Sequence, residues 1–182
     1  PKLYGGLTNN FTWKGFDLSV FLNFSIGNKI YGANQMYYTK FNNRWRNTLK
    51  DKALDRFTVM NDKGEYIFDD PEQLAAVNKD RHYVSIDGSS NLSFHSGYVE
   101  DGSFLKINNI SLGYTLPKSL VTKIKLSNVR FYATGYNLHT FTKYSGYDPE
   151  VNTCANNGLT PSIDWGAYPS AISVVFGANI SF

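Results

Sequence analysis

The side chains in this sequence that could do acid–base or metal chemistry are few and scattered. His82, His95 and His139 stand 13 and 44 residues apart, with no Asp or Glu at the spacing of a helical metalloprotease site. Each reads as a loop or wall histidine. Asp69, Asp70 and Glu72 could pass for the carboxylate pair of a glycosidase. They flank Pro71, however, where the start of a helix favours negative charge, and capping explains them better. Asp148, Glu150 and Asn152 offer oxygen ligands at alternate positions and could hold calcium. The Gly and the distant bidentate Glu of an EF-hand are missing, and Pro149 between the two acids reads as a turn that folds the loop back over a strand. No metal is expected. Cys154 has no second thiol to pair with and reads as a free thiol in an exposed loop. No Gly-rich phosphate loop or Ser/His/Asp arrangement is recognisable, so neither an enzyme nor a cofactor is expected. The remaining candidates are aromatic: Trp45, Tyr147, Trp165 and Tyr168 could stack on sugar rings. Packing in a loop or an aromatic girdle is their plainer role.

The elements that carry these residues are read from composition and periodicity. Of 182 residues, 16% are aromatic and only 18% charged, with 15 Gly, which is a β profile. The net charge of +3 is too small and too dispersed for nucleic acid. No run of 18 apolar residues is present, which argues against a transmembrane helix but not against a transmembrane barrel. The sequence opens at Pro1 with neither a charged n-region nor an apolar h-region, and it reads as part of a longer chain.

Alternation is strongest over residues 16–26, where Phe16, Leu18, Val20, Leu22, Phe24 and Ile26 share one face and Asp17, Ser19, Phe21, Asn23 and Ser25 the other. A strand of about 11 residues suits a tilted bilayer crossing better than a soluble sheet. A weaker strand over residues 7–13 precedes it, joined by a tight Lys14-Gly15 turn. Residues 172–182 alternate again and end on the apolar face at Phe182. Between them, a strand over 103–116 has Ile110, Leu112, Tyr114 and Leu116 in phase but Leu105 and Ile107 out of phase. One extra residue near Asn108-Asn109 restores the register, which predicts a β-bulge there or a shift between loop and membrane environments. A further strand covers about 129–141 and should turn Arg130 away from lipid, since a basic side chain on the lipid face costs about 2–4 kcal/mol.

The connections alternate in length: Lys14-Gly15, about 28–100, 117–128 and about 142–169. Barrels place short turns inside and long loops outside, and a loop of some 70 residues points to function. Within it a short helix is expected over residues 71–78, with Asp70 as N-cap and Pro71 first, and a second helix or irregular segment over 29–41. The fold class is thus all-β: antiparallel strands of a transmembrane β-barrel with long extracellular loops that contain short helices.

Three local motifs carry a resemblance. They are Asp101-Gly102-Ser103-Phe104-Leu105-Lys106 running into Ile110-Ser111-Leu112-Gly113-Tyr114-Thr115-Leu116-Pro117, then Asn137-Leu138, then Tyr144-Ser145-Gly146-Tyr147-Asp148-Pro149-Glu150. With the strands, their order and spacing resemble the C-terminal part of the barrel in SusC/RagA-like TonB-dependent outer-membrane transporters. Lys106 is a departure, since Arg is expected there more often. The resemblance implies residues 1–182 as part of a 22-strand barrel of the outer membrane of a Gram-negative bacterium, with the plug and N-terminal domains absent from this sequence. It implies a SusD-like surface lipoprotein as partner, contact with TonB through the missing N-terminal part, and import of glycans, oligosaccharides or peptides. It further implies that Phe176, Ile180 and Phe182 serve as the signal read by the barrel assembly machinery, with outer-membrane lipid around the wall. The alternative is a secreted or surface β-sandwich that binds carbohydrate through the same aromatic residues.

Overall fold

A computed structural model describes residues 1–39, 47–82, 96–154 and 157–182. Trp45 and His95 lie outside the described residues. The chain divides into two compact units, Pro1–Tyr31 with Val99–Phe182, and Gly32–Tyr98.

The first unit is built on one antiparallel sheet in the order β1-β2-β5-β6-β7. Its strands are β1 (Leu3–Trp13), β2 (Phe16–Ile26), β5 (Phe104–Thr115), β6 (Asn128–Thr142) and β7 (Ser173–Ser181). Two shorter strands, β3 (Lys29–Tyr31) and β4 (Val99–Asp101), pair with each other at the start and end of the long connection. The expected strand over 16–26 is β2 with the same ends. Lys14 and Gly15, at φ 46° and 90°, make the two-residue hairpin turn with positive φ at both positions. β1 starts four residues before its alternation becomes legible, because Gly5 and Gly6 interrupt the pattern. Those glycines lie under the rings of Phe24 and Phe21 of the neighbouring strand, which fill the missing side-chain volume. The helix or irregular segment expected over 29–41 divides: Lys29–Tyr31 is strand, and among the described residues of the segment Ala33–Tyr38 (α1) is the helical part.

The bulge falls where the phase slip put it. Phe21 faces Asn109 and Leu22 faces Ile107, leaving Asn108 as the extra residue. Leu105 and Ile107 thereby share a face with Ile110, Leu112 and Tyr114. Register across β2, β5, β6 and β7 then sorts the sheet. Leu18, Leu112, Ala133 and Phe176 form one apolar row, and Ser19, Ser111, Thr134 and Val175 lie on the opposite face. Strands of 11 residues at ~3.3 Å per residue, tilted by about 45°, cover roughly 26 Å, the height of a barrel's apolar band.

Most of the apolar face is open, although Val129 at its edge is buried. Phe11 is 59% and Phe176 79% exposed, with Leu7, Phe131, Val174 and Ile180 also open. A sandwich would lay a second sheet over this face, but the other sheet among the described residues is the β3–β4 pair. The β-sandwich alternative is therefore not favoured. No described helix is long and apolar enough to cross a membrane, which leaves crossing by strands untouched.

The second unit, Gly32–Tyr98, contains α1, α2 (Lys50–Leu54) and α3 (Pro71–Asn78). α3 begins as expected: Asp70 accepts the Gln73 N–H, and Gln73 Nε2 returns a bond to Asp70 Oδ2 at 2.7 Å. The carboxyl is held below its ordinary range by these bonds. The Asn78 side chain ties α3 to Thr58 through the backbone N–H and C=O of that residue.

Candidate functional site

Two side-chain assemblies stand out in the first unit, one on the polar face of the sheet and one where the loops leave it. On the polar face, Arg130 of β6 reaches over β5 to Asp17 of β2, with Nε–Oδ1 at 2.9 Å and a second nitrogen on Oδ2 at 2.5 Å. Gly113 lies beneath, and a Cβ there would collide with both partners. Gly177 likewise leaves room for the Tyr132 ring. Arg130 thus sits opposite the apolar face, as its charge requires, and the bidentate fork locks three strands in register.

At the loop end, the first and third motifs meet. In the first, Asp101 accepts from both the N–H and hydroxyl of Ser103, which keeps its carboxyl ionised to lower pH than usual. Ser103 Oγ in turn accepts the Gly27 N–H. Gly102 has no room for a side chain, since a Cβ would lie 2.5 Å from Asn28 Nδ2 and 2.7 Å from Ile30. Lys106 is 3% exposed, and its Nζ donates to Glu150 Oε2 at 2.6 Å. Glu150 Oε1 accepts from Asn23 of β2 at 2.9 Å. The loop is thus folded back onto two strands, as Pro149 implied.

The rest of the third motif holds that fold-back. Tyr144 is buried with Ile30 and Val151, and Ala167 packs on them. Its hydroxyl donates to buried Asp164 at 2.5 Å, whose other oxygen accepts from the N–H groups of Gly166 and Ala167. Burial, then the Asp164 bond and charge, push the Tyr144 pKa well above the ordinary phenol. Ser145 donates through its N–H and hydroxyl to the two oxygens of Glu100. Gly146 lies against the Tyr144 ring, with no space for a Cβ. Asp148 accepts from Glu150 N–H and Ser170 N–H. Burial raises its pKa, but those donors and nearby Lys106 outweigh it, so the net shift is downward. β3 also bonds the second loop: Tyr31 N–H donates to Ser162 O and Asp164 N–H to Tyr31 O.

The structure thus brings Asp148 and Glu150 into one network, but as acceptors for backbone N–H, lysine and asparagine groups. No cluster of three or more metal-ligating side chains occurs among the described residues. Tyr147 and Tyr168 are 83% and 93% exposed, on segments that the Asp148–Ser170 bond joins. Trp165 N–H donates to Thr153 Oγ1, beside the same loop. His82 bonds the Asp55 carboxylate at 3.0 Å, and His139 packs edge-on to Phe141. Cys154 is free and half-buried rather than exposed. Asn137 adopts φ 53° and donates to Ala171 O, which explains the second motif as the β6 counterpart of the Asn108 bulge. Phe176 and Ile180 share the open apolar face, with Phe182 just past the end of β7.

Sequence reasoning missed Asp17, Asp164 and Gly113 as site residues. The signal available was Arg130, a basic side chain in an alternating strand that needs a partner.

No family model matches the chain. It is 30% identical over 188 residues to the TonB-dependent receptor P3 of Formosa agariphila, covering 100% of this chain and 16% of that protein. It is 28% identical over 179 residues to the TonB-dependent receptor SusC of Bacteroides thetaiotaomicron, covering 97% and 15%. Among solved structures, that of the RagAB peptide transporter matches with a TM-score of 0.72 at 25% identity, over 98% of this chain and 17% of that one. The RagAB peptide importer in its open-open state gives 0.71 at 27%, with the same coverage. The chain spans about a sixth of the length of the relatives it matches. An open apolar sheet face, strands of bilayer length and these similarities lead to one conclusion: the chain is similar throughout its length to a segment of the SusC/RagA-like TonB-dependent receptors, and its antiparallel strands are part of a large transmembrane β-barrel.

Proposed function

We propose that this chain forms the C-terminal wall and rim of an outer-membrane importer that takes up glycans, oligosaccharides or peptides in a Gram-negative bacterium. The carrying observation is the five-stranded sheet whose apolar face leaves Phe11, Phe131, Phe176 and Ile180 open. The importer works with a SusD-like surface lipoprotein over the barrel mouth. Energy comes through TonB, by way of a plug and N-terminal part outside this sequence. Residues 28–100 and 142–169 are the extracellular loops in this reading, and Trp45, Tyr147, Trp165 and Tyr168 are its proposed ligand-contact positions. Phe176, Ile180 and Phe182 are read by the barrel assembly machinery. No enzymatic step is assigned to any residue.

The test is gel mobility of the full-length protein in detergent, unheated against boiled. A folded barrel migrates differently until heated, and the expected result is a heat-dependent shift that is lost when Phe182 is deleted. A protein soluble without detergent that shows no shift refutes the proposal.

A further inference from the structure

The connection between β5 and β6, residues 116–127, is unusual in charge. It holds Lys118, Lys123 and Lys125 and no acid. The chain as a whole has 18 basic and 15 acidic residues, so the other 170 residues balance at 15 against 15. All three lysines are exposed, and among the described residues none of them is in an ion pair.

The same turn exposes apolar side chains. It is built from a short helix, α4 (Lys118–Val121), and a 3-10 turn, Thr122–Ile124. Val121 is buried, while Leu120 and Ile124, four residues apart, are 51% and 60% exposed. The turn lies at the hairpin end of the sheet, because Thr115 N–H donates to Gly15 O and Leu116 N–H to Val129 O. Ser127 N–H donates to Ser181 O, which sets Phe182 beside it. Trp13, with Lys14 Nζ 5.0 Å from its ring centroid, and the Phe16 and Tyr114 rings, in contact at a tilt, mark the same level of the apolar face.

We infer that this turn is an interfacial anchor that binds anionic phospholipid headgroups at the short-turn end of the barrel. The inference rests on the reading of the apolar face as a membrane wall. Leu120 and Ile124 continue that face into the acyl boundary, the aromatic rings mark the headgroup level, and the lysines stand just beyond it. Lysine stems reach along apolar surface while their ammonium groups stay in the polar layer. Short turns face the periplasm, so the lipids bound are those of the periplasmic leaflet. Each lysine near an anionic surface contributes about a fivefold preference, and three give on the order of 100-fold at low ionic strength.

The experiment uses the full-length protein in detergent with equimolar phosphatidylglycerol and phosphatidylethanolamine, and native mass spectrometry reads the ratio of bound lipids. The wild-type protein is expected to favour phosphatidylglycerol by at least about tenfold, and the Lys118→Gln/Lys123→Gln/Lys125→Gln variant to bind the two about equally. Leu120→Ser/Ile124→Ser should retain less of both lipids at an unchanged ratio. A triple variant that keeps the wild-type ratio overturns the inference. So does a preference abolished by millimolar inorganic phosphate, which would assign a site for free anions. If the triple variant does not assemble, raising ammonium acetate from about 0.1 to 1 M must collapse the wild-type preference, and a ratio that stays constant overturns the inference. Each sample is also run unheated and boiled. A heat shift without lipid preference defeats this inference alone, and no heat shift defeats the membrane-wall reading with it.

Discussion

Replacing Glu150 by Gln isolates the charge that holds the second loop to the wall. The amide keeps the shape and the acceptor for Asn23, but it leaves the Lys106 ammonium without its counter-ion. The Lys106 side chain is only 4% exposed, against 35% for Glu150, so water cannot take over its solvation without movement of the loop. Losing one partner of a buried ion pair costs about 3–5 kcal/mol. The lower end suits a pair with one half-open member, and about 3 kcal/mol is roughly a 150-fold change in a local opening equilibrium. Lys106→Met should cost less, about 1–2 kcal/mol, because the carboxylate left behind is already hydrated on one side. The assay is hydrogen exchange of the backbone amides over residues 144–151 in the full-length protein, which reports local opening of a loop even where the barrel stays closed. Glu150→Gln should raise exchange there on the order of 100-fold, and Lys106→Met about tenfold. Equal effects from the two, or a larger one from Lys106→Met, would refute the argument that burial asymmetry sets the cost. A Glu150→Gln rate within threefold of wild type would refute the junction itself.

Deleting Asn108 removes the residue that realigns β5, so Leu105 and Ile107 turn to the polar face, and the heat-shifted barrel form should disappear from gels. Tyr144→Phe removes a hydroxyl donor from a buried carboxylate and should destabilise the second loop by about 1.5–3 kcal/mol, seen as faster proteolysis within residues 143–172 and an unchanged heat shift. Asp148 has a folded-state pKa below the unfolded value of about 3.9. Its contribution is therefore complete above that value and is lost as pH falls through the lower folded one. Loop exchange, corrected for intrinsic rate, should rise below about pH 4, and Asp148→Asn should flatten that dependence.

Local and periodic signals made much of this chain legible from the residues alone. The ends of β2 follow from unbroken alternation, and the Asn108 bulge from a phase slip that one residue repairs. The Asp70 cap is legible because its whole physics lies within four residues. The uncharged, aromatic face identified a wall, and the motifs identified its kind.

The loop junction is another matter. Lys106 and Glu150 lie 44 residues apart, Tyr144 and Asp164 20 apart, and Asp17 and Arg130 113 apart. Which charge meets which depends on the register of three strands and on where the loop lands, and neither leaves a periodic trace. β3 and β4, at three residues each, are too short for alternation and exist through their pairing across the long connection. Sequence by itself determined which faces are apolar and which stretches span. Only the tertiary structure decided which polar groups close on one another, because a buried charge takes its partner from whatever the folded chain brings within reach.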